Sequence, residues 1–217
     1  MTPVGHVVYL HGFASSPESS KASRFAHELA ARGIGCSRPD LNLPAFETLT
    51  ITRMIEQTHK AIAAAALGPV ALVGASLGGF VALHAAARDR HARVDRLILL
   101  APALDFGGNR LTQLGSHGIE EWRRTGSIEV DHYGYGETRR VDYALYEDAG
   151  AYDAFDITLS LPMLVVQGRQ DPLVDPASVQ RWAATRSNVD LRMVDDGHQL
   201  SASIDLIWRE SERWLEI

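Results

Sequence analysis

The stretch Pro69-Val-Ala-Leu-Val-Gly-Ala-Ser-Leu-Gly-Gly79 decides the fold. It opens as a continuous apolar run, the pattern of a strand buried on both faces. It then passes through Gly74-Ala75-Ser76-Leu77-Gly78 into a helical stretch from Leu77 to Arg88. A serine on so tight a strand-to-helix turn is lifted clear of the sheet, and the residues two before and two after must be small to avoid collision. The helix N-terminus beneath it favours developing negative charge. A tight turn carrying an ordinary surface serine is the bland alternative. The order strand, turn, helix favours a nucleophile, and Ser76 is the candidate.

Working outward, His6-Val-Val-Tyr-Leu-His11, Val94-Asp-Arg-Leu-Ile-Leu-Leu-Ala101 and Pro162-Met-Leu-Val-Val-Gln167 predict further central strands, with weaker candidates at 33–38 and 190–195. Helical stretches lie between them. Ser16 caps one, with Pro17 at its first position and Gly33 at its stop, and Asp175-Pro176 repeats the start signal. Leu49 to Leu67 is long and Ala-rich, and Ala202 to Leu215 brings Ile204, Ile207, Trp208, Trp214 and Leu215 near one helical face. This alternation predicts an α/β domain with a largely parallel sheet of roughly six strands and roughly six helices.

The interval 105–156 breaks the rhythm. It has no strong buried strand, yet five of the six tyrosines fall between Tyr133 and Tyr152. An insertion after a strand of a parallel sheet sits at the edge where ligands bind, so this one is expected to be a cap or lid. Neither a repeat nor a linker divides the chain, and 1–217 reads as a single domain.

A serine hydroxyl is a poor nucleophile at neutral pH and requires a base, usually a histidine oriented by a carboxylate. Asp171, ending Gln167-Gly-Arg-Gln-Asp171, and His198, ending Asp195-Asp-Gly-His198, each follow a predicted strand, with room for one helix and one strand between them. Both loops thus belong on the same sheet edge as Ser76. Asp105 also follows a strand and Asp175 is close by, so they are the rival acids, with Asp175 better suited to capping the next helix. Acyl transfer also requires donors aimed at the oxyanion: the N–H of Leu77, just after the serine, and that of Phe13 in the loop after the first strand. Trp122, Tyr133, Tyr135 and Tyr146 are candidates to line an acyl pocket, although aromatics in a cap are more often its own core.

His11 reads as structural. The remaining histidines lack metal-ligand spacing, one cysteine excludes a thiolate zinc site, and Gly33-Ile-Gly35 follows a helix rather than opening one. No metal and no cofactor are expected. The 217 residues are 46% hydrophobic and 22% charged, with a formal net charge of −6 and no basic run, which argues against a nucleic-acid partner. The lone Cys36 calls for no oxidising compartment, the N-terminal run has no basic leader and is too short to span a bilayer, and a cytoplasmic protein is expected. Its partner is a small-molecule ester or thioester; monomer and homodimer both stay open.

With the His11-Gly-Phe13 loop, the GASLGG turn, QGRQD and DDGH in this order, the chain resembles the α/β-hydrolase superfamily from end to end. The resemblance implies a minimal fold of that kind, about six mostly parallel strands flanked by helices with a short cap insertion. Tyr9-Leu-His-Gly-Phe-Ala-Ser-Ser-Pro17 followed by Ser20-Lys-Ala is similar to the openings of small bacterial esterases. Trp122, Gly126 and Tyr143-Ala-Leu-Tyr-Glu-Asp-Ala149 resemble the short-capped acyl-protein thioesterases. Carried over by motif, Ser76, Asp171 and His198 form the triad of a serine esterase or thioesterase. A peptidase or amidase of the same fold, or a noncatalytic ligand-binding protein on this scaffold, are the alternatives.

Overall fold

The structure, a computed structural model, describes residues 4–108 and 115–217. Along the chain run β1 (His6–Leu10), α1 (Ser20–Ala30), β2 (Gly35–Ser37), α2 (Ile51–Ala64), β3 (Val70–Ala75), α3 (Leu77–Ala87) and β4 (Val94–Leu100). After them come α4 (Gly115–Thr125), β5 (Ser127–His132), β6 (Glu137–Asp142) and α5 (Ala144–Ala149). The chain closes with β7 (Met163–Gly168), α6 (Pro176–Ala184), β8 (Val189–Val194) and α7 (Ile204–Leu215). Six strands form one sheet in the order β2-β1-β3-β4-β7-β8, with every pair parallel. This is the expected α/β-hydrolase core.

The continuous apolar runs are explained by burial of both sheet faces. Val8, Leu10, Leu72, Leu97, Leu99 and Val165 enter one core with α2, α3 and α6, while Val7, Tyr9, Val73, Ile98, Leu100 and Val166 enter the other with Phe25 and Leu29 of α1 and Ile207 and Trp208 of α7. Each buried Val or Leu contributes roughly 1.5–3 kcal/mol relative to exposure. Helix α3, which starts just after Ser76, is buried from Leu77 to Ala86. The turn that presents the serine is therefore fixed from below. No helix among the described residues is long and apolar enough to cross a membrane.

One expectation is corrected and another is refined. The helix expected to start at Ser16-Pro17 begins at Ser20, because Ser16 instead closes a turn, accepting from Ser19 N–H at 3.2 Å through its carbonyl and from Glu18 N–H at 3.3 Å through its hydroxyl. The interval 105–156, of which 109–114 lie outside the described residues, holds no strongly buried strand, as expected, but it does carry a hairpin of β5 and β6, which pair antiparallel in a separate two-stranded sheet. Their buried members alternate with charged ones, so the hairpin offers no apolar run to read. Elsewhere the start signal at Asp175-Pro176 does open α6, with the carboxylate accepting from the N–H groups of Ala177 and Ser178.

Candidate active site

Three loops at the carboxyl edge of the sheet bring Ser76, Asp171 and His198 together. Ser76 sits at φ 52° and ψ −118°, a conformation L-residues avoid, between β3 and α3. The glycines around it are there for contact: a Cβ on Gly74 would lie 2.3 Å from the Gly78 carbonyl oxygen, and one on Gly78 would lie 2.2 Å from that of Leu10. Strand and helix can cross this closely only without side chains. Ala14, Ala101 and Leu200, on neighbouring loops of the same edge, also take positive φ. Four of the six non-glycine residues with positive φ among the described residues thus lie at the edge where the serine is presented.

Ser76 Oγ lies 3.0 Å from His198 Nε2, and His198 Nδ1 lies 2.9 Å from Asp171 Oδ2. The carboxylate also accepts from Gln167 Nε2 and from the N–H groups of Leu173 and Val174, each at 2.9 Å. Burial alone would raise the Asp171 carboxyl; the hydrogen bonds from His198, Val174 and Leu173 more than offset it and hold the group below its ordinary value. Asp171 is therefore an ionised acceptor at neutral pH. His198 Nδ1 must then carry the proton donated to it, and the lone pair of Nε2 faces the serine hydroxyl.

The three residues line a cavity of about 740 Å³, together with Gly12, Phe13 and Leu77. Neither the Phe13 nor the Leu77 N–H has an acceptor among the described residues, as expected for a loop amide and for the first residue of a helix. A Cβ on Gly12 would lie 3.3 Å from Ser76 Cβ, so the loop after β1 passes directly over the serine.

Of the four aromatics expected at the pocket, Tyr133 lines it and is 82% exposed. The other three are placed elsewhere. Trp122 is buried, donates from its indole to the Val141 carbonyl at 3.1 Å, and packs against Tyr143 and Tyr146. Tyr135 stacks on His132 with ring centroids 3.8 Å apart. Of the rival acids, Asp105 lines the cavity without reaching His198, and Asp175 caps α6. His11 is structural here, its Nε2 accepting from the Leu41 N–H at 3.0 Å.

Two residues at the site were not anticipated. Gln167 is the last residue but one of β7, fully buried, and its amide holds Asp171 from four positions earlier. Lys21, in the first turn of α1, lines the cavity and reaches the His198 loop. Both stood inside quoted motifs, but no spacing rule marks them. Among the described residues no cluster of His, Cys, Asp and Glu could hold a metal ion.

Comparison with known proteins agrees with this architecture. The model of the uncharacterised protein family UPF0227 matches residues 6–209. Phospholipase YtpA of Bacillus subtilis (strain 168) is 28% identical over 137 residues, 52% of this chain and 53% of that protein, so the match spans about half the length of this curated relative. A hydrolase-named chain from Agrobacterium vitis S4 superposes with a TM-score of 0.84 at 26% identity, covering 97% of this chain and 87% of its own. Mouse alpha/beta hydrolase domain-containing protein 10 superposes with a TM-score of 0.82 at 21% identity, covering 100% of this chain and 92% of its own. The chain belongs to the uncharacterised protein family UPF0227, and its fold is that of the α/β-hydrolase superfamily.

Proposed function

We propose that this protein is a serine hydrolase that cleaves carboxylic esters or acyl thioesters through an acyl-Ser76 intermediate. One observation carries the reading: a strained serine hydroxyl 3.0 Å from a histidine nitrogen whose ring is anchored to a buried carboxylate, at the wall of a cavity. Ser76 Oγ attacks the acyl carbonyl as its proton passes to His198 Nε2. The Phe13 and Leu77 N–H groups donate to the oxyanion. His198 then gives its proton to the departing oxygen or sulfur as the bond to carbon breaks. Water attacks the acyl-serine by the same route in reverse, with His198 as base. Asp171 stays ionised and stabilises the imidazolium.

The segment between β4 and β7 serves as a cap, with Val130, Asp131 and Tyr133 forming part of the cavity wall. The aligned Bacillus relative carries the name of an ester-cleaving enzyme, which favours ester chemistry over a purely binding role. An acidic chain with a single half-buried Cys36 fits a cytoplasmic enzyme acting on small molecules.

The test is hydrolysis of a chain-length series of nitrophenyl esters and matching acyl thioesters by the wild type and Ser76→Ala. Activity that falls by at least about 10³-fold in the variant is expected. An inert wild type, or a variant that keeps its rate, would overturn the reading.

A further inference from the structure

The serine chemistry leaves one feature of the cavity unused. Among the described residues that line it, Lys21 brings the sole fixed positive charge. Its Nζ donates to the carbonyl oxygen of Gln199 at 2.5 Å, the residue that follows His198. An ammonium has three N–H donors, so two remain. No carboxylate among the described residues lies at ion-pair distance from it. Asp196 acts on it only from farther away, and both Asp196 oxygens already accept, from the N–H groups of Gly197 and Ser203. A part-buried cation without a close counter-charge is unfavourable, and an anionic ligand would relieve it.

Position says which part of a substrate meets this charge. His198 Nε2 must protonate the leaving atom, so the leaving group departs along the wall beside His198. Lys21 is held on that wall by Gln199. Of the four carboxylates that also line the cavity, Asp171 is paired with His198, Asp175 accepts from the N–H groups of Ala177 and Ser178, and Asp131 accepts from the Thr138 hydroxyl. Asp105 belongs to the loop after β4, not to the His198 loop.

We propose that Lys21 is a specificity-determining residue for the leaving group, selecting esters or thioesters whose alcohol or thiol carries a carboxylate or phosphate. This rests on the acyl-Ser76 reading.

The experiment compares S-butyryl thioesters in matched pairs: 3-mercaptopropionate against 3-mercaptopropionamide, and 4′-phosphopantetheine against pantetheine. The readout is the ratio of kcat/KM for the anionic over the neutral member, within each protein. In the wild type the ratio is expected to exceed one in at least one pair and to fall as salt is raised. Lys21→Met should lower it about tenfold, the worth of one charge-assisted hydrogen bond, while Lys21→Arg retains it. The responding pair tells whether the anion sits near the sulfur or at the far end of a longer arm. A ratio of one or below in both pairs, a ratio insensitive to salt, or equal loss on both members in Lys21→Met overturns the proposal and leaves Lys21 as an anchor of the His198 loop. In that case Ser76-dependent turnover would still stand. An inert wild type removes the serine-hydrolase reading, and this inference with it.

Discussion

At the scale of single residues, the Asp171 carboxylate is the most heavily committed group of the site. Four N–H donors converge on it, from His198, Gln167, Leu173 and Val174. Asn at this position has one acceptor oxygen and an NH₂ that must face donors, so Asp171→Asn would turn the imidazole or break the loop. We expect kcat to fall by about 10³-fold or more, and stability in urea unfolding to fall by about 1–3 kcal/mol for the buried donors left without an acceptor. Gln167→Met removes a single donor at similar volume. It should raise the Asp171 pKa toward its ordinary value and cost only about tenfold in kcat, since His198, Leu173 and Val174 still hold the carboxylate. Steady-state kinetics on any responding ester separates the two variants; equal losses would show that Gln167 does more than support Asp171.

At the scale of elements, the site depends on how closely β1, β3 and α3 approach one another. Gly78→Ala puts a methyl group 2.2 Å from the Leu10 carbonyl oxygen, which is backbone of a central strand and cannot swing aside. The expected loss is at least about 2 kcal/mol in urea unfolding, and more in activity than in stability because the turn carrying Ser76 must shift. The same central elements were the ones legible in the sequence. Buried parallel strands print as apolar runs, so 70–75, 94–100 and 163–168 could be located, and topology then places whatever follows them on one edge. That edge, together with the glycines flanking Ser76 and the QGRQD and DDGH loops, is what made Ser76, Asp171 and His198 legible as candidates. Hairpin β5–β6 was not, because Glu129, Asp131, Arg139 and Arg140 interrupt its buried residues and Arg139 pairs with Glu47 far away in sequence. Trp122, Tyr135 and Tyr146 show a second limit: aromatic content announces a packed segment, but which face meets the cavity is settled by tertiary contacts. Lys21 and Gln167 are recognised only by what they touch from a distance in the chain or from inside a strand.

At the scale of the whole molecule, pH links buried groups to global stability. His84, on α3 beneath the site, is 1% exposed and packed against Phe80 and Tyr152, and its Nδ1 accepts from Arg88. Burial, reinforced by the Arg88 charge, pushes its pKa down to about 3. The unfolded chain takes up a proton at this residue near its ordinary value of 6.5, and the folded chain does not until about 3. The unfolded state therefore binds more protons throughout that window, so stability falls as pH falls through it, with a slope approaching about 1.4 kcal/mol per pH unit. The Asp171 carboxyl is lowered as well, so its linkage has the same sign, but it adds its own loss only at lower pH, below roughly pH 4, as pH drops through its folded value. His6 and His132, also lowered by burial, act with His84. Urea unfolding at pH 7 and pH 5 isolates the histidine contribution. His84→Leu, of similar volume, leaves Arg88 its bond to the residue-84 carbonyl and its place over the Tyr152 ring. The wild type should lose about 2 kcal/mol more than this variant between the two pH values. Equal losses would mean that His84 takes up its proton in the folded state, and that the packing beneath the Ser76 turn opens to admit it.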